Sequence, residues 1–129
     1  MLLDTQNLFC ENQEITSGII YSQNIINFGK NDVSFAPVVV QAVEDFSGLT
    51  NLKVAFETSE SSDFGEAIVL AESSLSLSEL KAGSTFPFSF LPKGNKGYMR
   101  LKFTIDGVEE TGKITSGVVA GNGLSINEI

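Results

Sequence analysis

The sequence predicts an all-β protein, a single-domain antiparallel β-sandwich. Three observations carry that prediction. Apolar and polar residues alternate in short runs, which buries one face of a strand and wets the other. Clusters of Gly, Asn, Asp and Ser separate the runs and supply turn chemistry. The large apolar residues include ten phenylalanines and no tryptophan, and aromatic side chains suit a pleated, half-buried surface.

Each element follows from local pattern. Leu52, Val54 and Phe56 alternate with Lys53, Ala55 and Glu57, so the run to Thr58 reads as a strand with one buried face. The clearest strand is Tyr98 to Ile105, with Met99, Leu101, Phe103 and Ile105 on one side and Tyr98, Arg100, Lys102 and Thr104 on the other. Burying four such side chains contributes about 1.5–3 kcal/mol each, and a one-residue slip would turn all four outward. Weaker strand signals cover Ile15 to Tyr21, Ile25 to Phe28, Phe35 to Val43, Ala67 to Glu72, Thr85 to Phe90 and Ile114 to Ala120. The continuous Val38-Val39-Val40 suits a strand covered on both faces. Pro87, between Phe86 and Phe88, places its strand at an edge or a bulge, because proline has no N–H for a central ladder.

Gly29-Lys30-Asn31-Asp32, Ser47-Gly48, Gly94-Asn95-Lys96-Gly97 and Gly121-Asn122-Gly123 read as turns, and Asp106-Gly107 reads as a hairpin signal. Ser76 with Glu79 three residues on resembles a capping box, and Gly83 fits just past a helix end, so one short helical turn is expected near residues 76–82. Seven or eight strands at this spacing suit a β-sandwich or a jelly roll, between which periodicity does not choose.

At 129 residues the chain has the size of one domain, 1–129. Sixteen acidic residues against eight basic ones give a net charge of −8. That surface repels phosphate backbones and anionic membranes, so neither nucleic acid nor membrane is expected as a partner. The start, Met1-Leu2-Leu3-Asp4, lacks a basic region and does not read as a signal peptide. Cys10 is the sole cysteine, which rules out an intrachain disulfide and suits a buried, inert thiol.

The residues that usually carry chemistry are sparse. Histidine, the side chain that titrates unperturbed near neutral pH, is absent. Gly107-Val108-Glu109-Glu110-Thr111-Gly112-Lys113-Ile114 matches most of a phosphate-binding loop, but Ile114 stands where a hydroxyl should meet magnesium, and two glutamates would repel the phosphates. A loop leading into a last strand accounts for it better. Glu57, Glu60, Asp63 and Glu66 surround a polar loop whose spacing lacks the alternating carboxylates of a calcium site, so a solvated loop is expected there, with Phe64 tucked back onto the sheet. No carboxylate pair is nominated by spacing for glycoside hydrolysis. The expectation is a protein that is not an enzyme, with no cofactor and no metal.

Several segments in order resemble one family. They are Leu2-Leu3-Asp4-Thr5-Gln6-Asn7-Leu8-Phe9 with Gln13-Glu14-Ile15-Thr16; Gln41-Ala42-Val43-Glu44-Asp45-Phe46 with Leu52-Lys53-Val54-Ala55-Phe56-Glu57-Thr58-Ser59; and Leu91-Pro92-Lys93-Gly94, Tyr98-Met99-Arg100-Leu101 and Gly112-Lys113-Ile114-Thr115-Ser116-Gly117-Val118-Val119. This set resembles tailed-bacteriophage capsid cement, or decoration, proteins of the jelly-roll type. The resemblance implies jelly-roll topology, a place on the virion capsid surface after synthesis in the host bacterial cytoplasm, the major capsid protein as partner, and a homodimer or other homo-oligomer. It transfers no catalytic residue.

Residues 1–12 are expected to be either an arm or a first strand. As an arm, Leu2, Leu3, Leu8 and Phe9 are the candidate contacts to capsid or a neighbouring subunit. The tail 121–129 is expected to be flexible and to order in an assembly. The alternative function on the same architecture is a carbohydrate- or receptor-binding module, against which the absence of tryptophan argues, with only Tyr21 and Tyr98 to cover a sugar face.

Overall fold

A computed structural model describes residues 3–16, 18–107 and 112–119. Among them the strands are β1 (Leu3–Glu14), β2 (Ile19–Tyr21), β3 (Ile26–Asn27), β4 (Val38–Ala42), β5 (Leu49–Ser59), β6 (Ile68–Ser76), β7 (Tyr98–Gly107) and β8 (Lys113–Val119). They form two antiparallel sheets. The first runs β1-β8-β4, and the second runs β2-β7-β5-β6 with β3 continuing the β2 edge along β7.

Residues 84–91 complete the first sheet without being a regular strand. They line the free side of β4 through bridges Gln41–Thr85 and Pro37–Phe90. Phe86 N–H donates to Val40 O, and Val38 N–H donates to Ser89 O. Pro87 interrupts the ladder between them: Phe88 N–H turns back to Phe86 O at 2.8 Å, a γ-turn centred on the proline. The edge position expected from Pro87 is found. The expected strand is not, because the γ-turn uses the donor that a ladder would need.

Taking β2 and β3 as one edge and 84–91 as a strand position, the sheets read 1-8-3-6 and 2-7-4-5 in chain order. Pairing first with last, second with seventh, third with sixth and fourth with fifth is a hairpin wrapped into two sheets, the jelly roll. This topology corrects the hairpin expected at Asp106-Gly107. β7 and β8 are consecutive but lie in opposite sheets, so their connection crosses between layers and is no hairpin.

The core lies between the layers. Met99, Leu101, Phe103 and Ile105 are buried, as are Leu52, Val54 and Phe56, so both alternations point the way the sequence predicted. Phe56 sits centrally, edge-on to Phe9 at 5.8 Å and to Phe88 at 4.9 Å between ring centroids, geometries that aromatic pairs favour. Val38, Val39 and Val40 are all buried, as their continuous run predicted. The expected helical turn is a 3₁₀ turn, Leu77–Glu79, and Ser76 N–H donates to Glu79 Oε1 at 2.9 Å. Leu80, just after it, is fully buried and ties the turn to the core.

Candidate functional site

The N-terminal segment is a strand, not an arm. β1 pairs with β8 from Leu3–Val119 to Glu14–Lys113, with register shifts between Leu3 and Leu8, Leu8 and Cys10, and Cys10 and Gln13. Of the four predicted contacts, Leu2 lies outside the described residues and Leu3 is placed by its backbone alone. Leu8 is half-buried on the outward face of the first sheet, where its Cδ2 lies so close to Gly117 that a Cβ there would approach it to 2.8 Å. Phe9 is fully buried against Phe56. As a contact residue Phe9 is corrected: its ring belongs to the protein's own core.

Near the β4 side of the same sheet lie two exposed aromatic residues that alternation did not identify. Phe35 is 76% exposed, near the tip of a turn closed by Ala36 N–H to Val33 O at 3.0 Å. Phe90 is 56% exposed and bridges to Pro37, two residues from Phe35. Strict alternation would put Phe86, Phe88 and Phe90 on one face. The γ-turn at Pro87 breaks that rule, so Phe86 is buried, Phe88 packs on Phe56 and Phe90 faces solvent. The usable signal was the proline itself.

On the outward face of the second sheet, Arg100 organises a separate cluster. Its Nε donates to Glu57 Oε1 at 2.9 Å, with both side chains largely buried, 16% and 7% exposed. The guanidinium lies 3.8 Å from the Tyr21 ring centroid and 4.2 Å from that of Phe64. A cation between two aromatic faces is favoured by their quadrupoles. Phe64 reaches this place with φ of 54°, an uncommon conformation for its type, and is buried as the sequence predicted.

The acidic loop is accordingly divided. Glu57 pairs with Arg100, whereas Glu60, Asp63 and Glu66 remain exposed. The Asp63 carboxylate accepts from the Ser61 hydroxyl and from Gly65 N–H at 2.9 Å. These bonds hold its pKa below the usual range. Beside it lies an open recess of about 520 Å³ lined by residues including Ser59, Glu66, Ile68 and Lys96. Among the described residues no group of three or more potential ligands is arranged to hold a metal ion.

Elsewhere, Asp32 has its pKa lowered by Ser34 N–H and the Ser34 hydroxyl. Cys10 is buried, and desolvation pushes its thiol up to about 12 from an ordinary 9.0. Such a thiol is a poor nucleophile. The loop resembling a phosphate site leads into strand β8, where the motif requires a helix; residues 108–111 lie outside the described residues.

The family model described as Bbp16 matches residues 9–121, most of the chain and all of the elements just described except the start of β1. The chain belongs to the Bbp16 family. No curated protein matches. A crystal structure of PirA shares the fold at a TM-score of 0.51, with 10% identity, covering 85% of this chain and 93% of that one. At that identity the likeness concerns the fold alone. For this Bbp16-family chain, the exposed rings of Phe35, in the turn before β4, and of Phe90, on the 84–91 edge, are the candidate interaction residues. Among the described residues no helix is long and apolar enough to cross a membrane.

Proposed function

We propose that this protein is a bacteriophage virion structural protein that binds the outside of the capsid and cements the shell of major capsid protein, without enzymatic activity. The observation that carries this reading is the exposure of Phe35, in the turn before β4, and of Phe90, on the 84–91 edge that borders β4. Two exposed rings near Pro37 supply aromatic anchor area on a chain of net charge −8. The ordered resemblance to jelly-roll cement proteins supplies the partner. Many equivalent sites on one shell turn modest individual contacts into avid binding. A homodimer or other homo-oligomer multiplies that effect.

The test is co-sedimentation of purified protein with empty heads. The expected result is saturable binding that Phe35→Ser and Phe90→Ser together reduce at least about tenfold, in keeping with loss of aromatic anchors. Equal binding by the double variant would remove this surface from the account; no binding by the wild type would remove the function. A carbohydrate-binding module has one supporting feature, the half-exposed Tyr21. Arg100 covers one face of that ring at 3.8 Å, leaving a single face for a sugar. Saturable binding on a glycan array would favour that alternative.

A further inference from the structure

We propose that a second copy of this chain docks on the free edge of β6, strand to strand and antiparallel, centred on Ser73. This deepens the homo-oligomer part of the reading above, and its test can fail while shell binding stands.

An unpaired strand edge is a template for another strand, and proteins guard such edges. Three of the four edges here are guarded. Along β1, Asn24 N–H donates to Phe9 O, Asn24 Nδ2 to Leu8 O, and Glu11 N–H to Gln23 Oε1. The 84–91 edge is broken by the Pro87 γ-turn. The β2–β3 edge is split into pieces of three and two residues. β6 is nine residues long, contains neither proline nor lysine, and bonds to β5 alone among the described strands. The register shift at Phe56–Glu57 leaves Leu70 as its only irregularity. The straight part therefore runs from Ala71 to Ser76.

Its outward backbone groups follow from alternation, since successive residues of an antiparallel strand point their N–H and C=O to opposite sides. In β7, Leu101 O accepts from Ser22 N–H and Ile105 N–H donates to Gly18 O, so odd residues face the β2 side. Arg100, Lys102 and Thr104 then face β5, opposite Glu57, Ala55 and Lys53. Leu52, Val54 and Phe56 face β6, opposite Leu75, Ser73 and Ala71. That leaves Glu72, Ser74 and Ser76 pointing off the sheet. Glu79 already accepts from Ser76 N–H and closes that end.

Among the described residues, Glu72 and Ser74 are therefore the open bonding positions. A two-fold axis at Ser73 sets Glu72 of each copy opposite Ser74 of the other, so both residues exchange both backbone bonds. The alternative axis at Glu72 would set two carboxylates opposite each other, which is unfavourable. Charge agrees with the Ser73 register. Glu72 is the sole charged residue of β6 and is paired with Lys53 at 3.3 Å, so this edge is locally neutral on an acidic chain. Lys53 also lies opposite Ser74, on the row that receives the second copy's Glu72.

The test is sedimentation equilibrium of the intact chain over a concentration series reaching millimolar, with amide hydrogen exchange in parallel. A monomer–dimer equilibrium is expected, with the Glu72 and Ser74 amides gaining protection as the dimer forms. Ser74→Pro removes an outward N–H without touching the β5 ladder and should abolish the dimer while leaving the fold intact. Ser74→Asp should weaken association, and Ser74→Lys strengthen it, each by about fivefold through two symmetric cross-strand pairs. A monomer at every concentration, or equal association by all three variants and the wild type, would overturn the proposal.

Discussion

Arg100 has three side-chain partners on the outer face of the second sheet. It joins Glu57, Tyr21 and Phe64, and so ties β5, β7, the β2 edge and the acidic loop together. Removing one partner of a largely buried ion pair leaves the other uncompensated. Arg100→Ala is expected to lower unfolding stability by about 2–4 kcal/mol in urea, with Arg100→Lys intermediate because an ammonium loses the planar stack. Cys10 yields a pH prediction. Its folded pKa, about 12, lies above the ordinary 9.0. Its contribution is therefore fully present below pH 9 and is lost as pH rises toward 12. A urea titration should show stability falling over that window, with Cys10→Ala removing the decline. Asp32 and Asp63, both held low, act in the opposite sense, losing their contribution as pH falls through their lowered pKa values.

At the scale of elements, the two long central strands were legible because apolar residues recur with period two in both; β7 buries one face, whereas β5 is buried on both faces from Val54 onward, where Glu57 pairs with Arg100. The second sheet follows almost directly from Leu52–Phe56 and Met99–Ile105. The first sheet was harder to read. β1 carries register shifts, and Asn12 adopts a positive φ of 50°, so Phe9 and Cys10 are both buried although they are adjacent. That local irregularity is why period-two reasoning left residues 1–12 open between arm and strand. The same holds at Pro87, where one γ-turn redirects Phe90 to solvent. Gly117 is a further constraint without a sequence pattern: a Cβ there would meet Leu8 Cδ2 at 2.8 Å and Asn7 O at 3.0 Å. Gly117→Ala is therefore expected to cost about 1–3 kcal/mol by overpacking, read as a lower urea midpoint, and to displace Leu8 from the outer face.

At the scale of the molecule, the jelly roll explains how a chain without an intrachain disulfide holds two outer sheet faces. Each sheet turns one apolar side inward and leaves one side for contacts. Charge then restricts the partners. At −8, the protein should not retard duplex DNA in a gel at physiological salt, and retention would contradict that restriction. The proposed capsid partner rests on resemblance alone, because no motif encodes a protein-binding face as a metal or phosphate motif encodes its ligand. Phe35 and Phe90 become visible as exposed rings once the turn and the proline have placed them.

Electron cryomicroscopy of heads with and without the added protein tests the cementing role most directly. Ordered density of jelly-roll size on the outer surface, spanning neighbouring major capsid subunits and absent from bare heads, is the predicted result. Heads that remain bare in the presence of excess folded protein would contradict it.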